Sequence, residues 1–295
     1  MKLSLPSFAK INLHLRVLGK RYDGFHDLFT VFQTISLADD ITFELADASE
    51  LVCDDPRVPT DATNLIVRAA RALNPKGTAR ISLVKRIPMG GGLGGGSANA
   101  ATALIGLNRL WELGLSTNQL ASIGAEIGSD VPFFLSGGTA LGMRRGTEIE
   151  DFPDFEAGPM VLITPDGHVS TAGAYASLHA QNLTNAELNR ILRVCRSEAE
   201  SPDFLRSALI NDFEPAVFAD FPEIGRAKRK LLEFGASRAL MSGSGASVFG
   251  IFDKEETRQT ALKALDDEVN WRRFAVAAIS RSEYREKMGI AGQDL

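Results

Sequence analysis

A run of glycines is the sequence feature that most constrains the fold of this chain. Six glycines fall between Met89 and Ser97, after a β-like segment and before a helix-like segment rich in small residues. Because glycine has no Cβ atom, such a backbone can curl until successive N–H groups point at the same anionic oxygens. The amino terminus of the following helix adds the positive end of its dipole. The run therefore predicts an anion-binding loop rather than a flexible linker.

This loop departs from two common nucleotide-binding patterns. Gly90, Gly92 and Gly95 have a Rossmann-like spacing. The acidic residue that binds ribose should follow about twenty residues later, but the chain has Ser-Thr-Asn-Gln from residue 116 onward. A Walker loop requires a lysine immediately before the Ser or Thr, and none precedes Ser97. The loop alone therefore predicts phosphate binding without identifying the enzyme class.

The composition restricts the classes of protein to which the chain can belong. Hydrophobic residues make up 44% and charged residues 23% of the 295 residues, as in ordinary folded proteins. We find no apolar run of bilayer length and no signal-peptide core near Met1, so we expect neither membrane association nor secretion. The net charge of −5 argues against nucleic-acid binding, which normally needs a clustered basic surface.

The length of the chain predicts one large domain or two medium ones, and we interpret it as two lobes. Residues 148–159 are rich in Asp, Glu, Pro and Gly without a clear period, and they mark a candidate boundary. We therefore expect one domain over residues 1–152 and a second over residues 153–295. Cys53 and Cys195 are too few and too far apart for a disulfide framework or a thiolate metal site, and they fit a reducing cytoplasm.

Hydrophobic periodicity predicts alternating strands and helices. Between residues 10 and 17, apolar side chains from Ile11 to Val17 alternate with polar ones that include Lys10 and Asn12, which predicts a strand with one apolar and one polar face. Further strands are predicted over residues 28–37, 78–87, 139–143, 246–252 and 274–279, and helices over residues 63–73, 97–113, 116–128, 172–178, 222–234 and 254–265.

Three motifs together resemble the GHMP kinase superfamily. They occur in the expected order across almost the whole chain, in the segments Ala9–Leu13, Pro88–Ala101 and Ser242–Ala246. The resemblance implies an α+β fold in which an S5-like nucleotide-binding domain joins a smaller ferredoxin-like α/β domain. The active site would lie in the cleft between these domains. It also implies that the first domain binds ATP and that the second contributes to the binding of the acceptor.

Four further segments are similar to one subgroup of these kinases, whose acceptor is a cytidine-diphosphate-linked sugar alcohol of the non-mevalonate isoprenoid route. These segments are Asp23–His26, Asn64–Ile66, Ile127–Phe134 and Ser170–Ala172. The resemblance implies an ATP-dependent transferase that phosphorylates a hydroxyl of this small molecule. It does not by itself distinguish this acceptor from homoserine, mevalonate or a sugar. A non-catalytic nucleotide- or RNA-binding module is a second alternative, since S5-like folds also occur in ribosomal proteins.

The resemblance gives Asp130 and Lys10 catalytic roles. A carboxylate within hydrogen-bond reach can accept the proton of the attacking hydroxyl as the bond to phosphorus forms. An ordinary Asp has a pKa of about 3.9 and is ionised at neutral pH, so we expect late proton transfer. The Lys10 ammonium would favour the ionised carboxylate and contact the γ-phosphate or the accepting oxygen. The sequence leaves open whether Asp130 removes the proton or only orients it.

The remaining implied site residues fall into two groups. Those for ATP are Asn64, Lys85, Pro88, Met89, Gly90, Gly91, Gly92, Leu93, Gly94, Gly95, Gly96, Ser97 and Ala98. Those for the acceptor are Asn12, Phe25, His26, Thr171 and Tyr175. Cytosine offers a flat π-face and few edge groups, which suits a sandwich between Phe25 and Tyr175, with His26 reading its edge. Phe25 stands where the family usually has tyrosine, so stacking is kept and a hydroxyl contact is lost.

The resemblance also implies the cofactors and partners. ATP would be the co-substrate, and Mg²⁺ is expected with it. Ser97 can touch the ion, but no acidic pair with ligand spacing occurs, so we assign no metal ligands. We expect a cytoplasmic monomer or weak homodimer that binds a small-molecule substrate and neither nucleic acid nor membrane.

Overall fold

The computed structural model describes residues 2–21, 24–167, 169–178, 184–199, 201 and 209–290. Asp23, in a predicted motif, lies outside them. The strands within this part of the chain are β1 Lys2–Lys20, β2 His26–Leu45, β3 Glu50–Cys53, β4 Ala79–Val84, β5 Thr139–Arg144, β6 Glu148–Asp151, β7 Met160–Pro165, β8 Arg238–Met241, β9 Val248–Ile251 and β10 Trp271–Val276. The helices are α1 Leu65–Leu73, α2 Gly95–Leu110, α3 Thr117–Ile127, α4 Phe133–Ser136, α5 Thr171–Ser177, α6 Asn185–Ala199, α7 Glu214–Asp220, α8 Pro222–Glu233, α9 Glu255–Ala264 and α10 Arg281–Met288.

The first sheet is built around the long β1–β2 pair. Its strand order is β3-β4-β2-β5-β6, with β1 also paired to β2, and its pairs are antiparallel except β3 with β4. Helix α2 packs on this sheet through small residues. A Cβ atom added at Gly106 would come within 2.4 Å of the Phe43 ring, so the helix approaches β2 too closely for any side chain there. Helix α2, which follows the glycine loop, is thereby fixed against the sheet.

The second sheet contains β10-β7-β9-β8, all antiparallel. Helices α8 and α9 pack against it. The chain then returns to the first sheet, because Tyr284 of α10 is fully buried in the core beneath α2 and donates a hydrogen bond to the Phe134 carbonyl oxygen. The last helix therefore joins the two halves of the molecule.

A bulge in β1 divides the apolar face that the sequence pattern predicts. The pairing register with β2 shifts between Asn12 and His14. Ile11 and Leu13 pack in a core between the sheets, whereas Leu15 packs with residues of the second half. The prediction of a single face is therefore wrong, because an extra residue in a bulged strand changes the alternation of side chains. The predicted polar face exists at Lys10 and Asn12, but both residues are buried.

Most of the predicted elements are confirmed. Ser116 caps α3 as expected: its hydroxyl accepts a hydrogen bond from the Gln119 N–H, and the Gln119 side chain accepts one from the Ser116 N–H. Hydrophobic periodicity did not predict several elements, which are β3, β6, β7, β8, α4, α6, α7 and α10. Among the residues that the structure describes, none of the helices combines the length and apolar character needed to cross a bilayer.

Candidate active site

A cleft of about 510 Å³ lies between the glycine loop and residues from the second half of the chain. It is lined by the predicted residues Lys10, Asn12, Asn64, Lys85, Pro88, Met89, Gly90, Gly91, Gly92, Leu93, Gly94, Gly95, Gly96, Ser97, Asp130, Thr171 and Tyr175. Of the described residues, three predicted ones lie outside this lining, which are Phe25, His26 and Ala98. Ala98 is buried in the first turn of α2. The structure thus brings both catalytic candidates and nearly all of the ATP-site candidates into one cleft.

The glycine loop is held by contacts to β1 and to the turn that precedes β9. The Lys10 N–H donates to the Leu93 carbonyl oxygen at 3.0 Å, and the Ser242 hydroxyl donates to the Gly92 carbonyl oxygen at 2.9 Å. Gly92 has a φ of +73°, and a Cβ atom there would lie 2.0 Å from the Ser242 carbonyl oxygen. Only glycine fits this position, where the second and third motifs of the chain touch.

Lys10 and Asp130 face each other beside this loop. The Lys10 Nζ atom lies 3.7 Å from Asp130 Oδ2 and 2.7 Å from Asn12 Oδ1. The Lys10 side chain is 5% exposed and that of Asp130 is 31% exposed. Burial lowers the pKa of Lys10, and the negative charge of Asp130 offsets part of this effect. Asp130 follows α3, where the chain turns at Gly128, and this turn directs its carboxylate to the cleft.

Asn12 is fixed by its neighbours in β1 and β2. Its Oδ1 atom accepts the hydrogen bond from Lys10, and its Nδ2 atom donates to Thr30 Oγ1 at 2.8 Å. The Thr30 hydroxyl in turn donates to the His14 carbonyl oxygen at 2.7 Å. Because both ends of the Asn12 amide are engaged, this residue orients the Lys10 ammonium in the structure.

The two predicted nucleotide contacts outside the loop also have structural partners. Asn64 caps α1, since its side chain accepts from the Ile66 N–H at 2.8 Å and donates to the Pro59 carbonyl oxygen at 2.6 Å. The Lys85 ammonium forms an ion pair with the buried Asp39 carboxylate. Both side chains nevertheless border the cleft.

The predicted cytosine-binding aromatic residues are not arranged as a sandwich in this structure. The Tyr175 ring lies in the cleft and stacks on His26, with ring centroids 4.7 Å apart and an interplanar angle of 22°. Phe25 is 48% exposed, and the Arg145 guanidinium covers its ring at 3.7 Å. Burial, with a smaller contribution from the charge of Asp130, raises the pKa of the Tyr175 hydroxyl. Burial and the nearby Lys20 charge lower the pKa of His26.

Asn211 and its partners shape the cleft, although no sequence motif predicted these contacts. Asn211 donates from Nδ2 to the carbonyl oxygens of Met241 at 2.7 Å and Gly243 at 2.8 Å. Its Oδ1 atom accepts from the N–H of Phe213, whose ring meets Tyr175 edge to face at 4.9 Å. No local pattern signals this role, because the partners of Asn211 come from distant parts of the chain.

The donor groups of the cleft fit a metal ion that is held mainly by a substrate. Asp130 is the single carboxylate among the described lining residues, and Ser97 supplies a hydroxyl. Within the described part of the chain no group of three or more His, Cys, Asp or Glu side chains converges. Mg²⁺ is commonly bound by one or two carboxylates together with substrate phosphates and water, so this donor set is compatible with Mg²⁺ that accompanies a nucleotide.

Comparisons with known proteins place these features in a family. Residues 64–138 match the model of the GHMP kinases N terminal domain, and residues 185–270 match that of the GHMP kinases C terminal. A 4-diphosphocytidyl-2-C-methyl-D-erythritol kinase of Solibacter usitatus is 42% identical over 289 residues, covering 95% of this chain and 90% of the relative. One of Gloeobacter violaceus is 43% identical over 256 residues, covering 84% of each chain.

Solved structures agree with the sequence comparisons. A crystal structure of 4-(cytidine 5'-diphospho)-2C-methyl-D-erythritol kinase matches with a TM-score of 0.74 and 31% identity, covering 94% of this chain and 99% of the other. A homoserine kinase from Cytophaga hutchinsonii, with a TM-score of 0.64, 21% identity and coverage of 94% and 95%, shares the fold. The predicted α+β fold of the superfamily is confirmed. The chain therefore belongs to the GHMP kinases and, within them, to the 4-diphosphocytidyl-2-C-methyl-D-erythritol kinase family.

Proposed function

We propose that the chain transfers the γ-phosphoryl group of ATP to the 2-hydroxyl of 4-diphosphocytidyl-2-C-methyl-D-erythritol, a step of non-mevalonate isoprenoid precursor biosynthesis. The observation that carries this proposal is the pairing of Lys10 with Asp130 at 3.7 Å beside the glycine loop. The names of the relatives support the choice of acceptor.

The glycine loop and the amino terminus of α2 would hold the ATP phosphates. Phosphoryl transfer passes through a loose transition state, in which positioning and neutralisation of the phosphate oxygens supply most of the acceleration. Backbone N–H groups along residues 90–96 and the positive end of the α2 dipole suit this task. The hydrogen bond from the Ser242 hydroxyl to the Gly92 carbonyl oxygen would help to hold the loop in place before ATP arrives.

Asp130 and Lys10 would act on the attacking hydroxyl. As the new oxygen–phosphorus bond forms and the bond to the β-phosphate oxygen breaks, the hydroxyl proton passes to a carboxylate oxygen of Asp130 and ADP leaves. The Lys10 ammonium stabilises the negative charge on the transferring group and keeps Asp130 ionised. Asn12 holds that ammonium through its Oδ1 atom.

The cytidine group would bind beside Tyr175. We propose that Phe25 and Tyr175 hold the ring, that His26 reads its edge and that Thr171 contacts the substrate. Because His26 covers one face of Tyr175 in the structure, the cytosine ring would either use the opposite face or displace the imidazole. Phe213 would support Tyr175 from its edge.

Mg²⁺ would arrive with ATP, and the Ser97 hydroxyl and the Asp130 carboxylate, which both line the cleft, are the protein groups that would help to hold it. When bound, the ion neutralises charge on the phosphate oxygens. We further propose that residues 1–152 form the ATP-binding domain and residues 153–295 the domain that contributes to acceptor binding. The active chain would be a cytoplasmic monomer or weak homodimer that does not bind nucleic acid.

An acceptor panel with ATP and Mg²⁺ tests the proposed function. ADP release should be saturable with the cytidine-linked sugar alcohol and absent with homoserine, mevalonate and simple sugars. Turnover with another member of the panel would favour another acceptor within the superfamily. Nucleotide binding without turnover of any acceptor would favour a non-catalytic module.

A further inference from the structure

Asp39 of β2 is a buried carboxylate that the proposed mechanism does not use. Its side chain is fully buried, yet both of its oxygens accept hydrogen bonds. Oδ1 accepts from the backbone N–H groups of Arg86 at 2.7 Å and Ile87 at 2.8 Å. Oδ2 accepts from Asn99 Nδ2 at 2.8 Å and from the Lys85 ammonium. Such a charge is stable in the core only because so many donors surround it.

The partners of Asp39 lie at the two ends of the glycine loop. Residues 85–87 immediately precede Pro88, where the loop begins, and Asn99 lies in the first turns of α2, where it has ended. A single carboxylate from the sheet therefore connects the entrance and the exit of the loop. The Asn99 amide also donates to the Ser7 hydroxyl of β1 at 2.9 Å, which adds a second strand to this connection.

Asp39 also directs Lys85 toward the predicted phosphate position. A Cβ atom at Gly95, the first residue of α2, would lie 3.0 Å from the Lys85 Nζ atom. The ammonium is thus held at the amino terminus of the helix, with a side chain that is 7% exposed. A lysine with its usual freedom would lose conformational entropy on binding a phosphate, whereas one fixed by Asp39 has lost it already.

We infer that Asp39 is a positioning residue for the nucleotide, which preorganises the glycine loop by holding both of its ends and Lys85. The inference rests on the proposed use of this loop for ATP. Asp39 does not itself contact the nucleotide. Its contribution is that the loop N–H groups and the Lys85 ammonium require little rearrangement when the phosphates bind.

The neighbouring residue provides a matched control. Asp40 also pairs with an arginine of the same loop entrance, Arg86, but the two side chains are 50% and 51% exposed. An exposed pair of this kind contributes little to stability. Asp39→Asn and Asp40→Asn remove the same charge from adjacent positions, and only the first disturbs the buried connection.

The test measures the affinity for AMP-PNP with Mg²⁺ by calorimetry. Asn at position 39 can keep the two backbone bonds through Oδ1, but its amide NH₂ group faces the Lys85 and Asn99 donors. We expect Asp39→Asn to weaken AMP-PNP binding about tenfold or more and to change the affinity for the cytidine-linked acceptor by less than about twofold. In Asp40→Asn, the affinities for AMP-PNP and for the acceptor should both change by less than about twofold. Equal AMP-PNP affinities for the two variants would overturn the inference, as would an equal loss for both ligands.

If Asp39→Asn does not fold, hydrogen exchange in the unsubstituted chain tests whether Asp39 preorganises the loop. The amides of Arg86 and Ile87 should exchange slowly without any nucleotide, because Asp39 already holds them. Exchange as fast as that of an open loop, with protection appearing only after AMP-PNP is added, would overturn the inference. Neither measurement requires turnover. If no acceptor in the panel were phosphorylated, the proposed function would be refuted, and the role of Asp39 in nucleotide binding could still be tested by these two measurements.

Discussion

The Nζ atom of Lys10 lies 3.7 Å from Oδ2 of Asp130, although α1, α2 and α3 separate the two residues in the chain. The lysine comes from β1, which pairs with β2 in the first sheet, and it is almost completely buried. The aspartate comes from a turn after α3 and is partly open to the cleft. The buried ammonium is therefore fixed in position, whereas the partly open carboxylate can meet a substrate hydroxyl.

Asp130→Asn should lose most of the turnover and retain ATP affinity. The amide keeps the shape of the side chain but cannot accept a proton, and a general base of this kind contributes about 10²- to 10⁴-fold. Steady-state kinetics should therefore show a fall in kcat of that order with a nearly constant KM for ATP. Asp220→Asn, on the exposed end of α7, is the matched control. Unchanged turnover in Asp130→Asn would remove this residue from the mechanism.

The alkaline limit of activity should report on Lys10. Burial lowers the pKa of this ammonium below its ordinary value of 10.5, with Asp130 offsetting part of the shift. Since the charged form is the one that stabilises the transferring phosphoryl group, kcat/KM should fall as the pH rises through the lowered pKa. A pH–rate profile whose alkaline limb lies at or above pH 10.5 would contradict this expectation.

The lowered pKa of Lys10 also makes the free energy of unfolding depend on pH. In the unfolded chain Lys10 titrates near 10.5, so between the two pKa values the unfolded state binds more protons than the folded state. The contribution of Lys10 to the free energy of unfolding therefore rises with pH across that window.

In Asp130→Asn the carboxylate that raises the pKa of Lys10 is gone, so the alkaline limb of the residual activity should move to lower pH.

Local sequence patterns predicted the elements around the site better than the contacts within it. Alternation placed Lys10 and Asn12 together on one face of β1, and the glycine run placed a loop before α2. Neither pattern shows that the polar face of β1 is buried, because that depends on which elements pack over it. The bulge after Asn12 could not be predicted either, because it is defined by the pairing of β1 with β2.

The pairing of Lys10 with Asp130 could be predicted only from the resemblance to a family. A lone strand lysine is more often solvated, and an aspartate at a helix end is more often a cap. Asp39 and Asn211 carried no signal at all, since each one connects segments that are distant in sequence. Long-range hydrogen bonds of this kind depend on topology, which a single sequence constrains weakly.

Tyr175→Ala should weaken binding of the cytidine-linked substrate much more than binding of ATP. Stacking of a base on an aromatic ring contributes about 1–3 kcal/mol, so KM for the acceptor should rise roughly 5- to 150-fold. Tyr175→Phe keeps the ring that stacks on His26 and meets Phe213, and its KM should stay within about threefold of the original. Equal increases in the two KM values after Tyr175→Ala would contradict the assignment of this ring to cytosine.

Gly92→Ala should separate the glycine loop from the turn that carries Ser242. The added Cβ atom would lie 2.0 Å from the Ser242 carbonyl oxygen, and the φ of +73° is costly for alanine by about 1–2 kcal/mol. Thermal unfolding should show lower stability, and KM for ATP should rise. Gly96→Ala is the matched comparison for stability, because the nearest atom to its Cβ would be Leu65 Cδ1 at 3.7 Å. A melting temperature of Gly92→Ala equal to that of Gly96→Ala would refute the steric argument.

Asn211→Asp should impair both halves of the site at once. The substitution keeps the shape of the side chain but turns its two donated bonds, to the carbonyl oxygens of Met241 and Gly243, into repulsive contacts. Disrupting a buried hydrogen-bond group costs about 1–3 kcal/mol of folding stability, so the melting temperature should fall, and kcat/KM should fall with it. Because Gly243 contacts the Gly92 backbone and Phe213 supports Tyr175, the KM values for ATP and for the acceptor should both increase. Asp212→Asn, one residue away, should retain most activity, since the Asp212 Oδ2 atom accepts from the Val17 N–H at 2.8 Å and an amide oxygen can do the same. An effect of Asn211→Asp on one KM alone would show that this residue supports a single subsite.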